Sequence, residues 1–298
     1  MFKISIVILS FNSEKFIKSC LDSVFAQDFR DFEVIVVDNN SKDSTTSFIK
    51  ENYPQVILIE NKQNFGACRA RNQGIEAARG EWILTLDCDV ILEKSFLKKI
   101  MGFTEESKES VGIFQPKILK NDKKTIYSCG IYLSKLRRFY DIGKGKSDNG
   151  QFNISQYIFG ACSAAALYKK DMLEEIKEDD SGYFDERFFF LVEDVDLSWR
   201  AQKRGWRALY CPDAVCYHVG NSSNTSRKIR QYLCWKNRKL MLGKDKLNKF
   251  NFTVISLLYD LPHLFFLFMR NFYVRDAMKN RRDDLNITSI LNNNYEYV

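Results

Sequence analysis

Asp87, Cys88 and Asp89 set two carboxylates either side of one residue, directly after the apolar run at 82–86. On an extended chain residues i and i+2 share a side, so both carboxylates can point at one bound ion or at the groups around it. Hard divalent ions such as Mg²⁺ or Mn²⁺ take oxygen ligands and bridge to a diphosphate. One carboxylate could hold such an ion and the other a ribose hydroxyl or a metal-bound water. Asp-any-Asp also occurs in ordinary solvated turns, and it is the position after a buried strand that selects the chemical role. A second acidic pair, Glu193 and Asp194, follows the aromatic segment 184–191 at the start of a helix-like stretch. The helix dipole favours carboxylates there whatever their task. A reaction in which a hydroxyl attacks carbon needs one of them as general base, and Asp194 is the first choice with Glu193 the alternative.

Two histidines are present. His263 lies in an apolar segment and is read as structural. His218 follows the strand-like residues 214–217 and precedes a polar turn, a placement that could bring its imidazole to the metal. Asp38 closes the second apolar run, where it suits a hydrogen bond to a nucleobase or ribose or, equally, a cap through Asn39, Asn40 and Ser41. Asp196 is spaced to pair with Arg200 on the same helix face.

These residues need a scaffold that gathers them. Residues 4–9 and 32–37 are short runs rich in β-branched side chains, as expected of buried parallel strands. Between them Phe16, Ile17, Cys20, Leu21, Val24 and Phe25 recur at helical spacing, completing a strand-helix-strand unit. Residues 55–60 and 82–86 continue the alternation, with a helix at 67–79 that stops at Gly80. In an open parallel sheet the ligand crevice lies at the carboxyl ends of the strands. That rule collects Ser10, Phe11 and Asn12, then residues 38–41, residues 61–66 and finally Asp87 to Asp89 on one edge. Further on, 111–119 reads as a strand, 141–150 as a flexible loop able to cover substrate, and a helix opens at Glu193 and ends at Gly205.

Taken together, ILSFN, VVDNNSKDST, NFGACRARNQG, LTLDCDV, FLVEDVDLSWRAQKRGW and CPDAVCYHVGNSS resemble, in order and spacing, the family 2 glycosyltransferases. The likeness runs from about Lys3 to Ser223 and is closest to the rhamnosyltransferase and galactofuranosyltransferase branch. It implies a GT-A fold: a Rossmann-like α/β domain with a mainly parallel central sheet over residues 1–226, extended by a basic, aromatic helical segment over 227–298. It further implies an inverting, metal-dependent hexosyltransferase that moves rhamnose or another hexose from a dTDP- or UDP-sugar to an acceptor hydroxyl on a glycan or lipid-linked glycan. Ser10, Phe11, Asn12, Asp38, Arg71 and Asp87 would line the nucleotide. Asp89 and His218, with Asp87, would bind Mn²⁺ or Mg²⁺, and the base would be one of Glu193 and Asp194. Cys88 stands where relatives often carry a polar residue and is read as a filler.

The formal charge of +7 raises the question of nucleic acid or an anionic membrane as partner, and its distribution answers part of it. Residues 1–226 hold 31 basic and 32 acidic side chains, whereas 227–250 hold nine basic and one acidic. No nucleic-acid module accompanies that segment. The apolar runs 252–259 and 264–269 are each shorter than the about 18–20 residues of a transmembrane helix, so they are expected to lie on a membrane surface or to pack on the domain or a second copy. The eight scattered cysteines and the absence of a leader-like start point to reduced thiols and a cytoplasmic protein, peripheral to the inner membrane face if the segment binds lipid. Two other readings are an inactive nucleotide-sugar-binding protein, opposed by the intact acids, and a nucleotidyltransferase, opposed by the lack of an early Gly-rich phosphate loop.

Overall fold

The structure is a computed structural model that describes residues 2–134, 137–220, 225–244, 254 and 256–280. The first half alternates strand and helix: β1 (Ile4–Ser10), α1 (Ile17–Phe25), β2 (Phe32–Asp38), α2 (Thr45–Asn52), β3 (Ile57–Glu60), α3 (Gly66–Ala77), β4 (Trp82–Asp87), β5 (Val90–Leu92) and α4 (Phe96–Glu106). Then come β6 (Val111–Lys120), β7 (Ile126–Ser128), β8 (Ile131–Leu133), β9 (Phe139–Asp141), β10 (Gln156–Ile158), β11 (Ala165–Lys169), α5 (Lys170–Ile176), α6 (Glu193–Lys203) and β12 (Arg207–His218). Three further helices, α7 (Arg227–Lys244), α8 (Leu261–Arg270) and α9 (Phe272–Asn280), follow.

Ten strands form one mixed, mainly parallel sheet in the order β10-β12-β6-β11-β4-β1-β2-β3, with β5 paired to β12 and β7 to β6, and β8 and β9 form a separate two-stranded sheet. β1 to β4 are mutually parallel, as the repeated strand-helix pattern requires, and β11 inserts antiparallel between β4 and β6. Alternation along β1 splits the core into two layers. Ile4, Ile6 and Ile8 meet Leu21 and Val24 of α1 on one face, while Val7 joins Ile35, Val37 and Ile75 on the other. Helix α3 lies so close to the sheet that a Cβ on Gly74 would come within 2.2 Å of Val7, so only glycine fits there.

The expected strands at 4–9, 32–37, 82–86 and 111–119 are present, each extended by a residue at its carboxyl end, while the run at 55–60 pairs only from Ile57. The expected loop at 141–150 is mostly turns, hydrogen-bonded to β7 through Ile126 and Lys146.

Candidate active site

β4 ends at Asp87, and the chain turns at once into β5, which pairs antiparallel with β12 so that Val90 faces His218. Val219 N–H donates to the Asp89 carbonyl at 2.9 Å, and this ladder is what carries a histidine 129 positions away to the second aspartate. His218 Nε2 lies 3.7 Å from Asp89 Oδ1, and its ring stacks on Tyr127 with centroids 4.2 Å apart. Ligand atoms of Asp87, Asp89 and His218 all lie within 4.8 Å of one another. Asp89 is 1 % exposed, yet among the described residues neither of its carboxylate oxygens has a hydrogen-bond partner, and neither has His218 Nδ1. A buried, unpartnered carboxylate beside an imidazole and a second carboxylate is costly for a protein to leave bare. Two oxygen donors and one nitrogen suit Mn²⁺ or Mg²⁺, so the residues present fit a divalent ion. Cys88 is buried, its sulfur 3.0 Å from the Ser13 hydroxyl, and burial pushes its thiol up, so it stays protonated and out of the ligand set.

Arg71, on α3 and 3 % exposed, connects this triad to the second acidic pair. Its guanidinium donates to Asp87 Oδ1 at 3.0 Å and to Glu193 Oε1 at 2.6 Å, and its Nε has no partner. The two neighbours on α6 are therefore unlike. Glu193 is neutralised by a buried arginine. Among the described residues Asp194 has only the Val195 N–H as a donor. Withdrawal from water, then the charges of Glu193 and Asp141, push the Asp194 carboxyl up to about 8. Asp196 pairs with Arg200 at 2.8 Å, as its spacing requires.

Ser10, Phe11, Arg71 and Asp87 share one cavity with Asn39, Asn64, Phe189 and Phe190. Asn12 and Asp38 do not line it. Asp38 accepts the N–H and hydroxyl of Ser41 at 2.8 and 2.5 Å, and Asn12 accepts the Lys42 N–H at 2.8 Å, so both side chains lace the loops after β1 and β2 together. Asp38 does not cap α2; Asp43 accepts the Thr45 N–H at that helix start. Burial pushes the Asp38 carboxyl up against these donors. Asn39 and Asn64 stood within the strand-end clusters, whereas nothing in the sequence marked Phe189 and Phe190. His263 stacks on Tyr259, away from the acids. All eight cysteines are free, and residues 221–224, the rest of the turn after His218, lie outside the described residues.

The expected basic segment begins with a helix that is part of the domain. On α7, Ile229, Tyr232, Leu233, Met241 and Leu242 are buried, Asn237 bonds to the aromatic segment before α6, and Lys244 bonds to Glu178, Asp185 and Asp196.

Comparison with known proteins gives the family. A family model described as glycosyl transferase family 2 matches residues 5–177, more than half of the chain. Poly-β-1,6-N-acetyl-D-glucosamine synthase of Staphylococcus aureus (strain COL) is 27% identical over 222 residues, 72% of this chain and 49% of that protein. The chain thus spans about half the length of the curated relatives it matches. Among solved structures, S. aureus TarS 1-349 in complex with UDP-GlcNAc aligns with a TM-score of 0.59 at 19% identity, covering 93% of this chain and 76% of that one. Mannosyltransferase PcManGT from Pyrobaculum calidifontis, in complex with GDP-Man and Mn²⁺, aligns with a TM-score of 0.58 at 18% identity, covering 99% and 79%. At those identities the likeness establishes the fold, and both are glycosyltransferases of the GT-A kind. Arg71, Asp87 and Asp89 fall inside the matched segment, Glu193, Asp194 and His218 beyond it, and by that match the chain belongs to glycosyl transferase family 2.

Proposed function

We propose that this chain transfers a sugar, with inversion, from a nucleoside-diphosphate sugar to an acceptor hydroxyl on a glycan. The observation that carries the reading is the buried Asp89, both oxygens unpartnered among the described residues, beside His218 and Asp87, with Asp87 lining a cavity together with Arg71, the arginine that also bonds Glu193. Asp87, Asp89 and His218 would hold Mn²⁺ or Mg²⁺, which when bound neutralises charge on the leaving diphosphate. Ser10, Phe11 and Arg71 line the space for the nucleotide, with Asn12 and Asp38 fixing the loops that frame it. Asp194 takes the proton of the acceptor hydroxyl as that oxygen attacks the anomeric carbon. The bond to the diphosphate oxygen breaks with its electron pair, and nucleoside diphosphate leaves. Glu193 keeps Arg71 in place and, being ion-paired, is the poorer base.

The donor is a UDP-, dTDP- or GDP-hexose. UDP-GlcNAc and GDP-mannose, the ligands of the two solved neighbours, join dTDP-rhamnose and UDP-galactofuranose as the compounds to try. The decisive experiment incubates the full chain with each and follows release of nucleoside diphosphate with Mn²⁺ and with chelator. Turnover of one donor that stops on chelation is expected. Turnover indifferent to chelator overturns the metal role, and no turnover of any sugar nucleotide overturns the transferase reading.

The C-terminal helices support a contact with the membrane surface. No helix among the described residues is long and apolar enough to cross a membrane. Yet Leu257, Leu258, Leu261, Phe265, Met269 and Phe272 are more than half exposed, Phe265 at 70 %, with Arg270 beside Phe266. Apolar side chains flanked by cations match an anionic bilayer interface. One face of α7 packs on the domain while Arg227, Lys228 and Arg230 stay exposed, so α7 adds cations to the apolar face of 256–276 within the expected 227–282 contact. Flotation with phosphatidylglycerol vesicles tests it. Loss of binding in Phe265→Ser is expected, and a concentration-dependent dimer that ignores vesicles would assign the face to a second copy instead.

A further inference from the structure

The turn that leads into Glu193 and Asp194 is held in an unfavourable conformation. Phe189, Leu191 and Val192 have φ of 62°, 70° and 74°, and none is glycine. Left-handed backbone strains a non-glycine residue, most of all a β-branched one such as Val192. Such a conformation persists only where its surroundings over-determine it. One constraint comes from α3, whose Ala67 and Cys68 N–H groups donate to the Phe189 carbonyl at 2.7 and 3.3 Å.

The other comes from α7. Asn237, fully buried, directs its Nδ2 at the carbonyls of Phe188, Phe190 and Leu191, at 2.9, 2.8 and 2.7 Å. Two amide protons are shared by three acceptors. Among the described residues the Asn237 Oδ1 has no partner, a costly arrangement for a buried acceptor. Turning the amide over would set that oxygen against three carbonyls, so the orientation is imposed, and only an uncharged side chain with two protons to give fits the position.

We infer that Asn237 is a positioning residue of the transfer site, bracing the strained turn that aims Asp194. The inference rests on the transferase reading given above. The same turn supplies Phe189 and Phe190 to the donor cavity, so one amide from a helix beyond the family-matched segment fixes both the donor wall and the base. Around Asp194 stand Glu193 beside it, Arg71 from α3, Asp141 from β9, Tyr168 from β11, and the thiols Cys162 and Cys234. Releasing the turn lets water reach the carboxyl among these groups.

The test compares the full chain with Asn237→Ala and Asn237→Gln. Hydrogen exchange is read at 188–195 and 66–68 against β1, β2 and β4, and hydrolysis of the sugar nucleotide that the parent chain turns over fastest is read as a function of pH. In Asn237→Ala exchange should quicken tenfold or more at 188–195 and 66–68 and stay unchanged in the strands. The kcat should fall by about 100-fold, the size of a 1 Å misplacement, and its acidic limb should move down from about 8 toward the usual carboxylate range. Asn237→Gln, which keeps both donors, should recover part of the rate. Unchanged local exchange, or a rate loss with the limb unmoved, overturns the inference. Should Asn237→Ala not fold, the Gln variant carries the same two readouts. If no sugar nucleotide is turned over by the parent chain, the transferase reading fails, and exchange at 188–195 still decides whether Asn237 braces the turn.

Discussion

Two acid clusters in this molecule have the same raw geometry and opposite fates. Asp87, Asp89 and His218 bring three ligand atoms within 4.8 Å, and so do Glu178, Asp185 and Asp196. In the second cluster Lys244 lies 2.7, 2.9 and 2.9 Å from the three carboxylates, and Arg187 and Arg200 take up further oxygens. Burial pushes Glu178 and Asp185 up, but hydrogen bonds from Lys244, Ser181 and Arg187 outweigh it and hold both below the ordinary carboxylate range. In the first cluster Arg71 reaches Asp87 alone, and the Asp89 oxygens meet no donor. Where the chain needs an acid cluster for architecture it supplies the cation itself, tying α7 to the start of α6. The cluster left without one could hold a cation from solution.

The sharpest break in that contrast is Asp89→Ala. Metal-dependent turnover should fall by about 10³-fold, the scale of losing one preorganised electrostatic group, with Lys244→Met sparing the metal dependence. An Asp89→Ala variant that keeps its turnover would put the two clusters in the same class. Next, Lys244→Met should cost about 3–5 kcal/mol, because the buried Asp185 and Asp196 and the half-buried Glu178 lose the cation they share. Thermal melts would show it, and the loss should shrink at acid pH as the carboxylates protonate. Mn²⁺ at 100 times its dissociation constant should stabilise the parent chain by about 2.7 kcal/mol. The shift in Tm should vanish in Asp89→Ala and survive in Asp185→Asn, and the reverse pattern would exchange the roles of the two sites.

Asp194 tests the other acid pair. Its folded pKa lies above the unfolded value, so the native state holds the extra proton and stability falls as pH rises from about 4 to about 8. Asp194→Asn should therefore melt higher than the parent chain above pH 8 and alike below pH 4, while turnover, which in the parent climbs as Asp194 deprotonates, drops by about 10²-fold or more. An equal loss in Glu193→Gln with Asp194→Asn active would move the base to Glu193.

Most of the first half of the fold was legible because β1 to β4 are continuous apolar runs separated by amphipathic helices, and because the crevice rule needs only strand ends. The second half was less so. β7 to β10 are three-residue strands, too short for any periodicity, and β11 reaches its place between β4 and β6 only through long-range pairing. At the site, Asp87, Asp89 and the acid pair could be picked out by type and position. Arg71 was assigned to the nucleotide by resemblance, but its bond to Glu193 spans 122 positions and leaves no local trace. The turn at 189–192 was likewise invisible, since left-handed backbone there is carried by Phe, Leu and Val rather than by glycine. Asn237 looked like one polar residue in a basic stretch because the carbonyls it holds are distant in sequence.

The shared guanidinium of Arg71 has a thermodynamic side. A group hydrogen-bonded both to Asp87 in the cavity and to Glu193 on α6 cannot respond to a ligand beside one carboxylate without changing the energy of the other. Whatever factor a donor diphosphate applies to acceptor affinity, the acceptor must apply to donor affinity, by reciprocity of binding free energies. Arg71→Lys, which cannot span both carboxylates with a planar fork, should leave two sites that bind without regard to each other.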